Sequence, residues 1–361
     1  IINGLRFLSR SQLRAGDFRQ AEATLREALD QAARRPAGAD AWRVSLLRSI
    51  ADMHRVQGHF PAALNAAAEA ERISRQLDGE LHLQTVASSI QAAAVQALCG
   101  DPSRAADRLE ALATRIRTAT PPLPDFIDRW LQQSLAVTAL ERGDGGGALA
   151  RLAPLVAEAR SSAEQGRLAP LLLLQATALT MQRSPEAVAA ATAALAAWDA
   201  YSAGTATSGA RLPFEVALAK ARLAAGEHTG AGSLLEEALA RSAGSETDPS
   251  VMADALSVAA HMAIDGGDAQ RAVQLARSAL VTPEGVTLRS AVMGTTHIAL
   301  ARGLALSAEP LAACPSIDAA LRALNADVAG SGRLLMLAGA RAACRRGDAA
   351  SLSRWSTQFR F

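Results

Sequence analysis

A turn signal that recurs at nearly constant spacing constrains the fold of this chain more than any other feature of its sequence. The signal is a small residue, often Gly-Asp, with alanine five positions later and often Ala-Leu seven positions further on. It occurs at Gly16, Gly58, Gly100, Gly143, Gln182, Gly226, Gly267, Ser307 and Gly347. Successive positions lie 39 to 44 residues apart. A period of this length is typical of a repeat array.

Helix-breaking segments lie between these turns and divide each period into two helices. They are Arg35–Gly38, Asp78–Gly79, Pro121–Pro124, Glu164–Gly166, Ser202–Gly209, Gly244–Pro249, Pro283–Gly285 and Gly330–Gly332. We therefore predict a single domain, 1–361, of about eight to nine antiparallel helix-turn-helix repeats. The approximate repeats are 1–35, 40–78, 80–119, 124–163, 166–201, 210–244, 249–281, 285–327 and 332–358.

Composition and local pattern both favour helices. Aromatic residues make up only 3% of the chain, which argues against an all-β fold. Within the first repeat, Phe18, Ala21, Leu25, Ala28 and Leu29 fall on one helical stripe. Alanine at such positions lets two helices approach closely. The predicted fold class is all-α.

These residues carry a family resemblance. The segment Gly16-Asp17-Phe18, with Ala21 and Ala28-Leu29, resembles the second helix of tetratricopeptide repeats, and Leu8-Ser9 and Ile50-Ala51 match their first helix. The long period is similar to that of kinesin light chains and bacterial signalling proteins. The chain departs from the family pattern at Gln12, His54 and Gln96, where tyrosine is usual. The resemblance implies a right-handed α-solenoid whose first helices line a concave, peptide-binding groove.

By position in similar repeats, a set of side chains is expected to face that groove. They are Asn3, Arg6, Arg10, Arg48, Asp52, Arg55, Trp130, Gln133, Val137, Leu172, His261 and His297. The arginines would pair with acidic residues of a peptide, and a pocket near Trp130 would take a hydrophobic anchor. The alternative is that the arginines are ordinary solvated surface, and that Trp130 is a packed core residue.

The remaining signals predict no chemistry. Gly143–Gly147 lacks the lysine and hydroxyl of a phosphate loop, and no nucleophile and base can be paired. We therefore predict neither enzyme activity nor a cofactor. The histidines lack metal-ligand spacing, although His261, His297 and Asp265 form a remote alternative. The net charge of +2 argues against a nucleic-acid partner, and no stretch predicts a membrane span.

Cysteine usage and the chain ends complete the sequence-based expectations. Cys99, Cys314 and Cys344 are odd in number and far apart, so we expect buried thiols, no disulfide framework and a cytoplasmic setting. The start at Ile1, inside a predicted helix, indicates a fragment of a longer protein. Oligomers remain possible. The leading functional hypothesis is a protein-interaction scaffold; the alternative is the sensor region of a bacterial Ser/Thr kinase or transcriptional regulator, responding to a peptide or small molecule.

Overall fold

A computed structural model describes residues 1–34, 40–118, 120–162, 165–203, 207–324 and 332–359, and this part of the chain contains eighteen α-helices. The first ten are α1 (Ile2–Ala15), α2 (Phe18–Ala33), α3 (Asp40–Val56), α4 (Phe60–Asp78), α5 (Leu83–Leu98), α6 (Pro102–Ile116), α7 (Asp125–Glu141), α8 (Gly145–Ser161), α9 (Gln165–Met181) and α10 (Ala187–Ser202).

The remaining eight helices continue the same pairing. They are α11 (Ser208–Ala224), α12 (His228–Ser242), α13 (Pro249–Asp265), α14 (Ala269–Leu280), α15 (Ser290–Ala305), α16 (Cys314–Leu324), α17 (Gly332–Arg346) and α18 (Ala349–Gln358), with a 3-10 turn at Pro310–Ala313 before α16. The bounds of the helix pairs lie within three residues of the predicted repeats, except that α15 begins at Ser290, five residues after the predicted start at 285. The predicted breakers at 35–38, 164, 204–206 and 330–331 lie outside the described residues.

The turn glycines adopt the backbone conformation that their position within the hairpin requires. Gly16, Gly58, Gly100 and Gly267 have φ values of 86°, 77°, 99° and 83°, in the left-handed region that favours glycine. At the fifth turn the left-handed residue is Arg183, with φ 53°, rather than the predicted Gln182. The aspartates that follow several glycines cap the next helix. The Asp101, Asp144, Asp268 and Asp348 carboxylates each accept a hydrogen bond from a backbone N–H of the first helical turn.

The helices form two layers. Each odd-numbered helix from α1 to α13 packs against the next odd-numbered helix, so these first helices make a continuous inner layer. The even-numbered helices pack between consecutive first helices and form the outer layer. Buried alanines such as Ala21 and Ala28 lie where helices cross, and Trp198 stacks on Phe214 with ring centroids 4.9 Å apart. This is the all-α helical solenoid predicted from the sequence.

The solenoid completes one superhelical turn and then contacts itself. The Thr207 N–H donates to the Ala15 carbonyl at 3.0 Å, and the Thr287 N–H donates to the Gly58 carbonyl at 2.9 Å. The Arg19 guanidinium pairs with the Glu246 carboxylate. The first two hairpins therefore touch the loops and helix starts of the sixth to eighth hairpins. We call these the turn-to-turn contacts.

The cysteine prediction is wrong in two respects. Cys314 and Cys344 form a disulfide with a Cα–Cα distance of 5.7 Å, and Cys99 is an exposed free thiol rather than a buried one. The two bonded cysteines are 30 residues apart in sequence, but α16 and α17 pack side by side and bring them together. Because disulfides persist mainly in oxidising compartments, the cysteines no longer argue for a reducing one.

Candidate functional site

The inner face of the first hairpins gathers three arginines from two helices. Arg6 and Arg10 lie on α1 and Arg48 lies on α3; Arg6 and Arg48 are half-buried, whereas Arg10 is exposed. The guanidinium of Arg48 lies over the ring of Trp130 on α7, 5.2 Å from its centroid. Since α3 and α7 belong to hairpins that are not neighbours, their side chains converge from the concave wall of the superhelix. We call Arg6, Arg10 and Arg48 the arginine cluster.

The arginine cluster holds more positive charge than its surroundings neutralise. Within the described residues, no ion pair joins any of the three guanidinium groups to a carboxylate. The nearby Asp52 carboxylate lies 3.8 Å from the Arg55 Nε on the same helix. Burial, opposed by Asp52 and reinforced by Arg10 and Arg6, lowers the pKa of Arg48 to about 10. Burial and Arg10 also lower the pKa of Arg6. The cluster is thus cationic at neutral pH and suited to an anion.

Two glutamines of α5 hold Arg48 in place, and the sequence reasoning missed both. The Arg48 Nη1 donates to the Gln84 Oε1 at 3.3 Å, and the Gln91 Nε2 donates to the Arg48 carbonyl at 2.7 Å. Their spacing of seven residues, two helical turns, places them on one face of α5. The sequence spacing could have shown that the two glutamines share a helix face, but it does not reveal which neighbouring helix that face contacts.

The other predicted groove residues of the early hairpins have mixed environments. Asn3 is exposed on α1, whereas Gln133 and Val137 are half-buried on α7. Trp130 is half-buried, packing against the core around Leu131 on one side and under Arg48 on the other. The core contact agrees with the packed-core alternative, and the role of Trp130 in anchoring a ligand stays a prediction.

Leu172 and His261 do not line an accessible groove. Leu172 is only 3% exposed and belongs to the core shared by α7 to α11, because α9 is apolar on nearly every side. His261 is 1% exposed, and its Nδ1 lies 2.8 Å from the Nη1 of Arg302. Because arginine has only donors, that Nδ1 accepts the bond, which makes His261 part of a buried network.

His297 is half-buried on α15, and its Nδ1 has no hydrogen-bond partner among the described residues. Burial, with a contribution from Arg322, lowers its pKa. The alternative site of His261, His297 and Asp265 does not form, because Asp265 accepts from the Arg302 Nη2 at 3.0 Å. Across the described ranges, no group of three His, Cys, Asp or Glu side chains is arranged to hold a metal ion.

A second charged group lies where the two superhelical turns meet. Lys220 on α11 pairs with Asp254 on α13 at 2.6 Å. Burial raises the pKa of Glu141, at the end of α7, while Arg289 at the start of α15 favours its charged form. Acidic and basic side chains from both superhelical turns therefore lie close together here, whereas the arginine cluster contains only basic side chains.

Comparisons with known proteins place the chain within one architecture. No known family profile matches the sequence, and no curated protein matches it. Among solved structures, a Rap protein complexed with competence and sporulation factor matches with a TM-score of 0.65 and 11% identity, over 99% of this chain and 96% of that one. NprR in complex with its cognate peptide NprX matches with a TM-score of 0.56 and 17% identity, over 83% and 88%.

A tetratricopeptide repeat protein from Parabacteroides merdae also aligns, with a TM-score of 0.44 and 13% identity, over 77% of this chain and 91% of that one. The Rap and NprR matches, with TM-scores of 0.65 and 0.56, show that the chain has a helical-repeat solenoid fold of the tetratricopeptide-repeat type. Within the part of the chain that is described, no helix has the length and apolarity of a membrane span.

Proposed function

We propose that this chain is a non-enzymatic module that binds a short peptide inside its superhelix. The observation that carries the proposal is the arginine cluster, three guanidinium groups on the inner-layer helices α1 and α3 that form no ion pair with a carboxylate in the described chain. Leaving such charges unpaired and partly buried costs stability unless a ligand compensates for them. A ligand with an anionic group would do so.

The comparisons support the same proposal. The Rap and NprR structures share this fold, and each was determined with a bound peptide or factor. In the ligand chemistry we propose for this chain, an acidic group meets the arginine cluster. A neighbouring apolar side chain packs near Trp130, with Gln133 and Val137 further along α7.

The turn-to-turn contacts favour a short free peptide over a segment of a folded partner. They hold the first two hairpins against the sixth to eighth, which favours an enclosed inner wall over an open trough. A peptide with free ends can enter such a channel, whereas a chain anchored at both ends cannot thread into it. This favours a regulatory sensor, in which peptide occupancy controls a longer parent protein, over a scaffold.

Affinity selection from a synthetic pool of free hexapeptides tests the proposal. We expect the wild-type protein to retain a subset enriched in acidic and apolar residues, and the Arg48→Glu variant to lose it, because the substitution reverses the charge at the centre of the cluster. Arg43→Glu is the matched control, since Arg43 lies on the same helix but pairs with Glu69 on α4 at 3.3 Å.

The retained sequences should then be inserted into a surface loop of a folded carrier protein. The proposal predicts that they no longer bind when both ends are anchored. Equal binding of free and inserted peptides would favour the scaffold, and retention of no peptide at all would refute peptide binding.

A further inference from the structure

The guanidinium of Arg48 is held by two contacts, and the backbone of the same residue by a third. Its Nη1 donates to the Gln84 Oε1, its guanidinium face covers the Trp130 ring, and its carbonyl accepts from the Gln91 Nε2. The guanidinium is therefore held in one plane by contacts from α5 and α7. Such a group binds a ligand with less loss of side-chain entropy than a freely rotating arginine.

One edge of this guanidinium has no partner. The Nε of Arg48 is buried and makes no hydrogen bond within the described residues, and the engaged Nη1 lies on the opposite side of the group. The Nε and Nη2 atoms form the planar two-donor edge that a carboxylate matches with two parallel hydrogen bonds. The nearby Arg6 and Arg10 add positive charge without occupying this edge.

A buried acceptor lies beside the backbone of the same arginine. Gln91 is only 5% exposed, and while its Nε2 bonds to the Arg48 carbonyl, its Oε1 has no partner among the described residues. An unpaired buried acceptor calls for a donor on the ligand. A sulfate dianion presents only acceptors, so the Oε1 would repel it, whereas an amide N–H beside a carboxylate satisfies both groups.

We propose that Arg48 and Gln91 form a composite subsite for a carboxylate with an adjacent amide N–H, and that it excludes anions without a donor, such as sulfate. The location of this subsite in a ligand channel rests on the proposed function. The chemistry is that of a peptide, supplied either by its terminal carboxylate or by an internal aspartate. Arg48 supplies the two donors, Gln91 supplies the acceptor, and Gln84 and Trp130 are positioning residues.

Small probes test the subsite without a known peptide. Saturation-transfer NMR on the full chain compares N-acetylglycine with acetate, and inorganic sulfate is added as a competitor. We expect N-acetylglycine to bind about fivefold more tightly than acetate, as one additional hydrogen bond provides. Inorganic sulfate, chosen as the competitor because it carries no donor, should not displace N-acetylglycine. Displacement of N-acetylglycine by equimolar sulfate would overturn the proposal.

Three variants separate edge geometry from charge. Arg48→Lys keeps the charge but lacks the planar edge, so binding of N-acetylglycine should fall about tenfold. Gln91→Met should abolish the preference over acetate while carboxylate binding persists. Arg43→Gln should change neither, and circular dichroism confirms that each variant is folded. Full binding by Arg48→Lys would show that charge alone suffices and would refute the subsite.

Two hexapeptides then identify the source of the carboxylate. One has a free C-terminus and no acidic side chain; the other is amidated and carries an internal aspartate. The peptide whose binding depends on Arg48 identifies the source of the carboxylate. If peptides bind but neither depends on Arg48, the subsite fails while the proposed function stands. If N-acetylglycine binds as expected but no peptide does, the function fails and the subsite stands.

Discussion

At the scale of single residues, the charge of Arg48 suits the binding of an anionic ligand but destabilises the fold when no ligand is bound. Burial and two neighbouring arginines lower its pKa from the ordinary value of an arginine to about 10. A lowered pKa for a cation means that folding disfavours the charged form. That penalty is present in full at every pH below about 10 and declines as the pH rises from 10 towards the pKa of an arginine in the unfolded chain.

Replacing Arg48 by methionine should therefore stabilise the unliganded protein. The variant keeps an apolar stem against Trp130 and removes the buried charge, so we expect the Tm at neutral pH to rise by about 1–3 °C. The gain should shrink above pH 10, where the wild-type arginine begins to lose its proton. Calorimetry of Arg48→Met beside Arg43→Met measures this. A Tm that falls equally in both variants would mean that the buried charge of Arg48 does not destabilise the unliganded protein.

At the scale of helices, the last hairpin is held by a buried arginine. Arg302 on α15 is 2% exposed; it donates to the Ser356 carbonyl on α18 at 3.0 Å and to His261 and Asp265 on α13. Phe359 also packs beside its guanidinium, 6.0 Å away. One side chain thus joins three helices, and the disulfide separately joins α16 to α17.

Arg302→Met should release α18 without unfolding the array. Breaking a buried, hydrogen-bonded charge network costs about 3–5 kcal/mol, and in a solenoid that cost falls on the nearest repeat. We expect hydrogen exchange over Ala349–Gln358 to accelerate while α1 to α12 remain protected. Arg354→Met, an exposed arginine on α18, is the control. Unchanged exchange in α18 would show that the apolar contacts of Trp355 and Phe359 suffice.

The two scales show why part of the molecule could be predicted from sequence. Turn positions such as Gly58 and Gly267 depend on a local backbone requirement, so the repeat and its helices follow from the chain alone. The inner wall depends on packing between repeats. Leu172 lies on an apolar helix, so the hydrophobic pattern does not show which of its faces is buried. His261 accepts a hydrogen bond from Arg302, which is 41 residues away in sequence. The Cys314–Cys344 disulfide was not predicted either, because it too depends on packing between repeats.

At the scale of the whole molecule, the superhelical pitch decides which turns meet. A Cβ added at Gly58 would lie 2.9 Å from the Thr287 carbonyl oxygen, and one added at Gly16 would lie 2.2 Å from the Thr207 Oγ1. At Gly226 and Gly267 no atom lies within 4 Å of the added Cβ. Turn glycines of the first superhelical turn therefore serve two purposes, backbone conformation and close approach, whereas the later ones serve only the first.

Comparison of Gly58→Ala with Gly267→Ala isolates the turn-to-turn contacts. Both positions have φ near 80°, at 77° and 83°, so both variants incur a similar backbone strain of about 1–2 kcal/mol. Only Gly58→Ala also pushes Thr287 away, which breaks the bond to the Gly58 carbonyl. Because hairpins still pack on their neighbours, helicity should persist while the superhelix opens. Small-angle X-ray scattering should show a larger radius of gyration for Gly58→Ala alone. The same radius in both variants would mean that packing between adjacent hairpins, rather than contact between turns, sets the pitch and encloses the arginine cluster.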